Sequence, residues 1–146
     1  MNKIIILVFL LFNILNAEFI RDNKLDIVLD TSTNLLWEDG ADNKKSFSTA
    51  LLYCQTKSIE HFIDKWRLPN YNELLSIVKF DNKNAKIDIA FNNTKVDGIS
   101  YWTSTLSKTY YDLNNTQRAW NINFASGYDN VDPITNSLYT RCVHDF

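Results

Sequence analysis

Two cysteines and two histidines are the side chains of this 146-residue sequence best suited to nucleophilic or metal chemistry. Cys142 and His144 would share one face of a strand, an arrangement that can pair a thiol with a base. His61 lies in a polar stretch, and its distance from His144 along the chain matches no metal-ligand spacing. Acidic residues are spread along the chain without a distinct pair, so the sequence singles out no catalytic site.

The role of the cysteines depends on the compartment, and the N-terminus is typical of an exported protein. Lys3 precedes an apolar run over residues 4–12, and Ala17 is a small residue before a polar stretch. This is the order of a secretory signal peptide. We therefore predict that residues 1–17 are removed and that residues 18–146 form the mature domain.

An uncleaved membrane anchor is the alternative for this N-terminal segment. Its apolar part, residues 4–15, contains Asn13 and is shorter than the roughly 20 apolar residues that cross a bilayer. We therefore favour cleavage, which predicts a periplasmic or secreted protein with no stable membrane span.

In an oxidising compartment the two cysteines indicate one disulfide, Cys54–Cys142. The pair would close most of the mature chain into a loop. The chain-entropy model assigns such a loop about 4.5 kcal/mol of stabilisation. Free thiols or a catalytic cysteine are the alternative.

Composition and charge exclude several classes of protein. Hydrophobic residues make up 45% of the chain and aromatic residues 14%, which supports a packed core and argues against disorder. Without Lys3 the mature chain has 14 basic and 17 acidic residues, a net charge of −3, so no nucleic-acid partner is expected. Three glycines leave little room for glycine-rich phosphate loops.

Strands are predicted where apolar residues alternate or cluster between turn residues. The predicted strands are Leu25–Leu29, Asn34–Trp37, Ser100–Thr103, Ala119–Phe124 and Leu138–Val143. The first two flank a turn-rich segment and are expected to form a hairpin.

Two helices are predicted between the hairpin and the later strands. Ser46 precedes apolar residues at helical spacing, which predicts a helix to about Lys57 with Cys54 on its buried face. Asn70 and Glu73 have the spacing of a capping box at the start of a second helix. The order of hairpin, two helices and strands favours a single α+β domain over alternating βαβ units.

The tryptophans allow either a structural or a binding role. The segment Trp66–Pro69 could present an aromatic face and a guanidinium to a ligand. We favour a structural role, in which Trp66 fills the core and the proline and following asparagine start a helix. Trp37, Trp102 and Trp120 are likewise expected to pack in the core rather than to stack against a sugar.

Several segments of the mature chain occur in an order known from one bacterial family. They are Val28–Trp37, Tyr53–Cys54, Trp66–Asn70 with Glu73–Leu74, Tyr101–Thr105, Ala119–Phe124 with Gly127, and Tyr139–Val143. With them the sequence resembles the Lcl C-terminal domain family, named for the end domain of a collagen-like adhesin. Asn34 stands where the family usually has glycine, and asparagine is the next most tolerant residue for positive φ.

The resemblance implies an α+β fold of the C-type lectin-like type, in which two helices flank a small twisted antiparallel sheet. It also implies one disulfide from the first helix to the last strand, as already predicted from the cysteines. Family adhesins imply sulfated glycans or other surface polymers as ligands. The net charge of −3 argues against a polyanion, so an envelope protein is an equal candidate.

Two segments are candidate ligand contacts. In lectin-like folds the long segment between strands, here residues 106–118, carries such contacts, and exposed tyrosines there would offer large contact area at low entropy cost. The turn at residues 127–133 lies beside it. The candidate residues are Tyr110, Tyr111, Asp129 and Asn130. Asn114 also fits the extended bacterial N-glycosylation pattern, with Asp112 two residues before it.

Metal and cofactor signals are weak. The segment Trp120–Asn123 is similar to the Trp-Asn-Asp element of calcium-dependent lectins, but the aspartate is absent. Asp129, Asn130 and Asp132 could supply a few of the roughly six to eight oxygen ligands of calcium, and a polar turn explains them equally well. No cofactor or metal is predicted, and calcium binding stays open.

We therefore expect a non-enzymatic exported module that binds an envelope or extracellular glycan or protein. A structural or assembly component of the envelope without its own ligand site is the alternative. The resemblance also implies a fold related to that of the sulfatase-modifying factors, so an enzyme of that kind is the third hypothesis. It needs a reactive cysteine pair, which the predicted disulfide would occupy.

Overall fold

The structure is a computed structural model that describes residues 18–40, 43–108 and 115–146. In these residues the chain forms β1 Phe19–Asp22, β2 Ile27–Asp30, β3 Leu35–Glu38, α1 Phe47–Gln55, β4 Trp66–Arg67, α2 Tyr71–Ser76, β5 Tyr101–Ser107, β6 Arg118–Ile122, β7 Asp129–Pro133 and β8 Val143–Asp145. Neither helix is long and apolar enough to cross a membrane. The predicted signal peptide, residues 1–17, lies outside the described residues.

The larger sheet has five antiparallel strands in the order β1-β2-β3-β8-β4. The predicted N-terminal hairpin is confirmed as β2 and β3. Asn34 in its turn has φ of +56°, so asparagine adopts the left-handed conformation here. The last strand inserts between β3 and β4, where His144 pairs with Leu36 on one side and Trp66 on the other.

The smaller sheet consists of β5, β6 and β7, all antiparallel. The register of β5 against β6 shifts between Trp102 and Leu106, as at a β-bulge. Trp120 lies in the middle of β6 opposite Val131 of β7. This sheet carries the residues that form the candidate site.

Two apolar clusters connect the sheets and helices. One joins the two sheets to α2 and includes the fully buried Trp37, Leu74 and Tyr101. The other joins them to α1 and includes Trp66 and Trp102. The core roles predicted for Trp37, Trp66 and Trp102 are therefore confirmed.

Both helices begin where the sequence predicts. Ser46 is the N-cap position of α1, and Cys54 lies on its buried face. At α2 the predicted capping box forms. The side-chain Oδ1 of Asn70 accepts a 2.9 Å hydrogen bond from the Glu73 N–H, and Oε2 of Glu73 accepts a 2.7 Å bond from the Asn70 N–H.

The predicted α+β, C-type lectin-like architecture, with two helices flanking a small sheet, is wrong. The described chain is mostly β, with two antiparallel sheets, and its two helices have only nine and six residues. The strands β1, β4 and β7 were missed, and the last two carry little strand signal. The strand β4 has two residues, and β7 has the sequence Asp-Asn-Val-Asp-Pro, which is poor in strand-forming residues. These strands are defined by their partners in the sheets.

The predicted strand Leu138–Val143 is also largely wrong. Leu138 and Tyr139 form single bridges to Lys45 and Tyr101, and β8 begins only at Val143. The apolar residues of this segment are buried, but they connect the two sheets instead of extending one of them.

Candidate functional site

Cys54 and Cys142 form the predicted disulfide. It joins α1 to the residue before β8, with a Cα–Cα distance of 5.4 Å, and both cysteines are fully buried. The alternative, a Cys142–His144 dyad, is therefore wrong for this structure, because the sulfur is already bonded and shielded from solvent.

Polar side chains close to the disulfide hold α1 against the larger sheet. The buried carboxylate of Glu38 accepts hydrogen bonds from the Tyr53 hydroxyl at 2.6 Å and the Cys142 N–H at 3.1 Å, and it pairs with Lys57. Burial and the Glu38 charge raise the pKa of Tyr53, so this phenol remains a hydrogen-bond donor. These contacts hold α1 against the larger sheet and stabilise the fold.

The two histidines have different surroundings. His61 is exposed. His144 is buried between the rings of Phe62 and Trp66, with centroid distances of 5.5 and 5.3 Å. This position gives His144 a packing role.

The segment Trp66–Pro69 has the structural role that we favoured. Trp66 is buried, and its Nε1 donates to the Phe62 carbonyl at 2.9 Å. Arg67 donates two 2.8 Å bonds to the Glu73 carboxylate and a 2.7 Å bond to Asp145. This guanidinium therefore joins α2 to β8.

Of the four predicted contact residues, Asp129 and Asn130 lie within the described part of the chain. Both are exposed at the start of β7. Tyr110 and Tyr111 lie outside the described residues, as does Asn114. The Oδ2 atom of Asp129 accepts a 2.7 Å hydrogen bond from the Tyr71 hydroxyl. This bond, together with burial, raises the pKa of Tyr71.

Tyr71 belongs to an open cavity of about 430 Å³, which we call the aromatic groove. Its lining residues are Asn70, Tyr71, Asn72, Thr105 and Trp120. The two rings are half-buried and meet edge to face, with centroids 5.3 Å apart.

Three elements position the aromatic groove. The capping box fixes the first turn of α2, and Thr105 Oγ1 accepts a 3.0 Å bond from the Tyr71 N–H. Trp120 comes from the centre of β6, and Thr105 lies where the register of β5 shifts. The groove therefore has rigid walls made by secondary structure.

Sequence reasoning missed the aromatic groove. Trp120 was expected to pack in the core, whereas it is half-buried and lines the cavity. Tyr71 follows a helix cap, and no spacing relates it to a residue 49 positions later. The available signal was that Trp120 lies beside the predicted contact segment 106–118.

A second open cavity of about 360 Å³, which we call the polar hollow, includes Asp129 in its lining. It is lined by Gly98, Ile99, Ser100, Asn123, Ser126, Tyr128, Asp129, Asn130, Asp132 and Leu138. Both carboxylate oxygens of Asp132 accept hydrogen bonds from amides, at 2.9 Å from Asn121 and 3.1 Å from Asn136. Within the described ranges no three acidic, histidine or cysteine side chains are grouped to hold a metal ion.

The fold and the site define a small, mostly β domain, closed by one buried disulfide and bearing an open aromatic groove. The family model of the Lcl C-terminal domain matches residues 26–144, and the chain belongs to that family. This confirms the resemblance found in the sequence. No curated protein and no solved structure gave a match.

Proposed function

We propose that the protein is an exported, non-enzymatic binding module that recognises a glycan of the envelope or the extracellular space through the aromatic groove. The observation that carries the proposal is the pairing of Tyr71 with Trp120 in an open cavity edged by amide and hydroxyl groups. Aromatic rings can contact the C–H faces of a sugar, while a few polar groups fix its orientation.

The size of the groove favours a glycan over a protein ligand. A cavity of about 430 Å³ is within the range of small-ligand sites. A stable protein interface instead covers about 800 Å² on each partner. The groove suits one or a few sugar units better than a protein surface.

The surroundings of the cysteines support a non-enzymatic role. The sulfatase-modifying enzymes use a cysteine pair, and in this chain both cysteines are joined and fully buried. Close to the disulfide, the buried Glu38 carboxylate accepts a hydrogen bond from Tyr53, whose hydroxyl in turn accepts one from Lys57.

A structural component of the envelope is the second candidate function. It is favoured by an open hollow of about 410 Å³ on the larger sheet, where Ile20, Leu29 and Leu36 form a row across β1, β2 and β3. Ile20 is 49% exposed on the edge strand β1. Exposed apolar side chains on an edge strand can mark a contact with another protein.

A glycan array separates the two candidates. Wild-type protein is expected to bind a defined subset of glycans, and Trp120→Ala is expected to reduce that binding at least about tenfold, the equivalent of roughly 1.4 kcal/mol. Phe80→Ala, which removes an exposed aromatic outside the groove, is the matched control. Circular dichroism establishes that each variant is folded.

An empty array with folded wild-type protein would contradict glycan binding. Crosslinking in the native envelope, followed by mass spectrometry, then tests the structural alternative. A stable complex that is lost in Ile20→Asp but retained in Trp120→Ala would support that alternative.

A further inference from the structure

We propose that the side-chain amide of Asn70 donates a hydrogen bond to the ligand at the rim of the aromatic groove, and that the bound sugar presents an acceptor oxygen to it. Asn70 is then a specificity-determining residue. This inference rests on the proposed function and adds the chemistry that one edge of the bound sugar must have.

The capping box fixes which way the Asn70 amide faces. Its Oδ1 accepts a 2.9 Å hydrogen bond from the Glu73 N–H in the first turn of α2. The amide group is planar, so Nδ2 points away from the bond that Oδ1 accepts. A flipped amide would set Nδ2 against the Glu73 N–H and lose the cap. Asn70 therefore presents its donors, and not its acceptor, away from this turn.

The position of Asn70 places these donors beside the two aromatic rings. Asn70 is exposed, and it lines the aromatic groove with Tyr71 and Trp120. Its backbone is held by a 2.7 Å bond from the Asn70 N–H to Oε2 of Glu73. The next N–H, that of Tyr71, donates to Thr105 at 3.0 Å. The amide is thus preorganised, which lowers the entropy cost of using it in binding.

Thr105 offers a second donor among the lining residues. Its Oγ1 accepts the hydrogen bond from the Tyr71 N–H, and a hydroxyl that accepts one bond still has its own hydrogen to donate. Asn70 and Thr105 thus use acceptor oxygens to hold the backbone at the start of α2. Their donors can serve a ligand.

A donor held in a fixed position selects the ligand group that meets it. A sugar hydroxyl, ring oxygen or carbonyl oxygen can accept a hydrogen bond from Nδ2 of Asn70, whereas an ammonium group has donors only. The rings of Tyr71 and Trp120 offer apolar contact that many sugars can use. The Asn70 amide is the group that discriminates among them.

Two substitutions separate the capping role of Asn70 from its role as a donor. Serine and aspartate match asparagine at the N-cap position, so Asn70→Ser and Asn70→Asp both keep the cap. Both remove the NH₂ donors. We therefore expect thermal unfolding of the two variants to stay close to that of the wild type.

A glycan array printed with neutral and anionic glycans is the probe, and the protein concentration at half-saturation is the readout. For glycans that the wild type binds, we expect Asn70→Ser to raise this concentration about fivefold. Asn70→Asp should raise it about tenfold or more, because a carboxylate repels an acceptor oxygen. Asn84→Asp makes the same change at an exposed position that does not line the groove, and it should bind as the wild type does.

Three results would overturn the inference. Unchanged half-saturation in both Asn70 variants, with binding lost in Trp120→Ala, would reject the donor role and leave the proposed function intact. Weaker binding that occurs only together with a lower unfolding temperature would show that Asn70 acts through the cap alone. An empty array with folded wild-type protein would contradict the proposed function and, with it, this inference.

Discussion

The hydroxyl of Tyr71 donates a 2.7 Å hydrogen bond to the carboxylate of Asp129, and this contact joins the first turn of α2 to the first residue of β7. The two residues are 58 positions apart in sequence. The bond holds the phenol ring in place against Trp120, and it brings the predicted contact residue Asp129 to the end of the aromatic groove.

Tyr71→Phe tests how much this bond contributes. The ring and its contact with Trp120 remain, so we expect the free energy of unfolding to fall by only about 1 kcal/mol. Binding of an array-identified glycan should weaken by less than the loss caused by Trp120→Ala. Thermal unfolding and titration calorimetry measure the two effects. Equal losses of binding in both variants would show that the hydroxyl, and not the pair of rings, dominates recognition.

Removal of the disulfide should cost much of the stability. The Cys54→Ala/Cys142→Ala double variant opens a loop closed across 88 positions, and the chain-entropy model predicts a loss of about 4.5 kcal/mol. Guanidinium unfolding measures the difference, with Leu52→Ala, an exposed change in the same helix, as the control. An unchanged unfolding midpoint in the double variant would contradict a stabilising role.

The Arg67 contacts predict loss of stability in acid. Burial raises the pKa of Glu73, but hydrogen bonds from Arg67 and from the Asn70 N–H outweigh it and hold this pKa below its usual 4.5. The Arg67 bond likewise lowers the pKa of Asp145 from 3.8. Both carboxylates therefore contribute their full stabilisation of the folded state at pH values above their usual pKa values. This contribution is lost as the pH falls through their lowered pKa values in the folded protein.

Urea unfolding over a range of pH measures this dependence. The acid limb is the fall in the free energy of unfolding as the pH is lowered, and Glu73→Gln should make it less steep. The same variant should lower the free energy of unfolding at neutral pH by roughly 1–2 kcal/mol, because the charge-assisted bonds are weakened. Glu60→Gln, at a partly exposed carboxylate paired with Lys24, is the control and should leave the acid limb unchanged. An identical acid limb in wild type and Glu73→Gln would refute the assignment.

The buried pair Asp39–Arg141 should be intolerant of single substitutions. Both side chains are fully buried, 2.7 Å apart, and Asp39 also pairs with Arg21. Asp39→Asn leaves the Arg141 guanidinium among aromatic rings without a counter-charge, which typically costs about 3–5 kcal/mol. Chemical unfolding measures the loss. Asp64→Asn, at an exposed position, is the control, and equal stability of the two variants would contradict this account.

Local features of the fold could be predicted from the sequence. The capping box of Asn70 and Glu73, the turn at Asn34 and the pairing of Cys54 with Cys142 depend on a few neighbouring residues or on a count of two cysteines. These features have a direct physical cause in the residues themselves, so their prediction was confirmed.

Features that depend on distant partners could not be predicted. Trp66 and Arg67 form a strand only because β8 lies beside them, and Asp129–Pro133 is a strand only because β6 offers its edge. The aromatic groove has the same origin, since Tyr71 and Trp120 meet through the packing of α2 on the smaller sheet. The sequence marked Asp129 as a contact residue but not the two rings near it.

The most direct test of glycan binding at the groove is the indole region of a ¹H–¹⁵N spectrum during titration with the glycan that gives the strongest array response. The chain has four tryptophans, and Trp37, Trp66 and Trp102 are buried. The Nε1 atoms of Trp66 and Trp102 already donate to backbone carbonyls at 2.9 Å. We predict that the Trp120 Nε1 signal shifts saturably while the other three stay in place. Saturable binding that leaves the Trp120 signal unchanged would contradict the aromatic groove as the binding site.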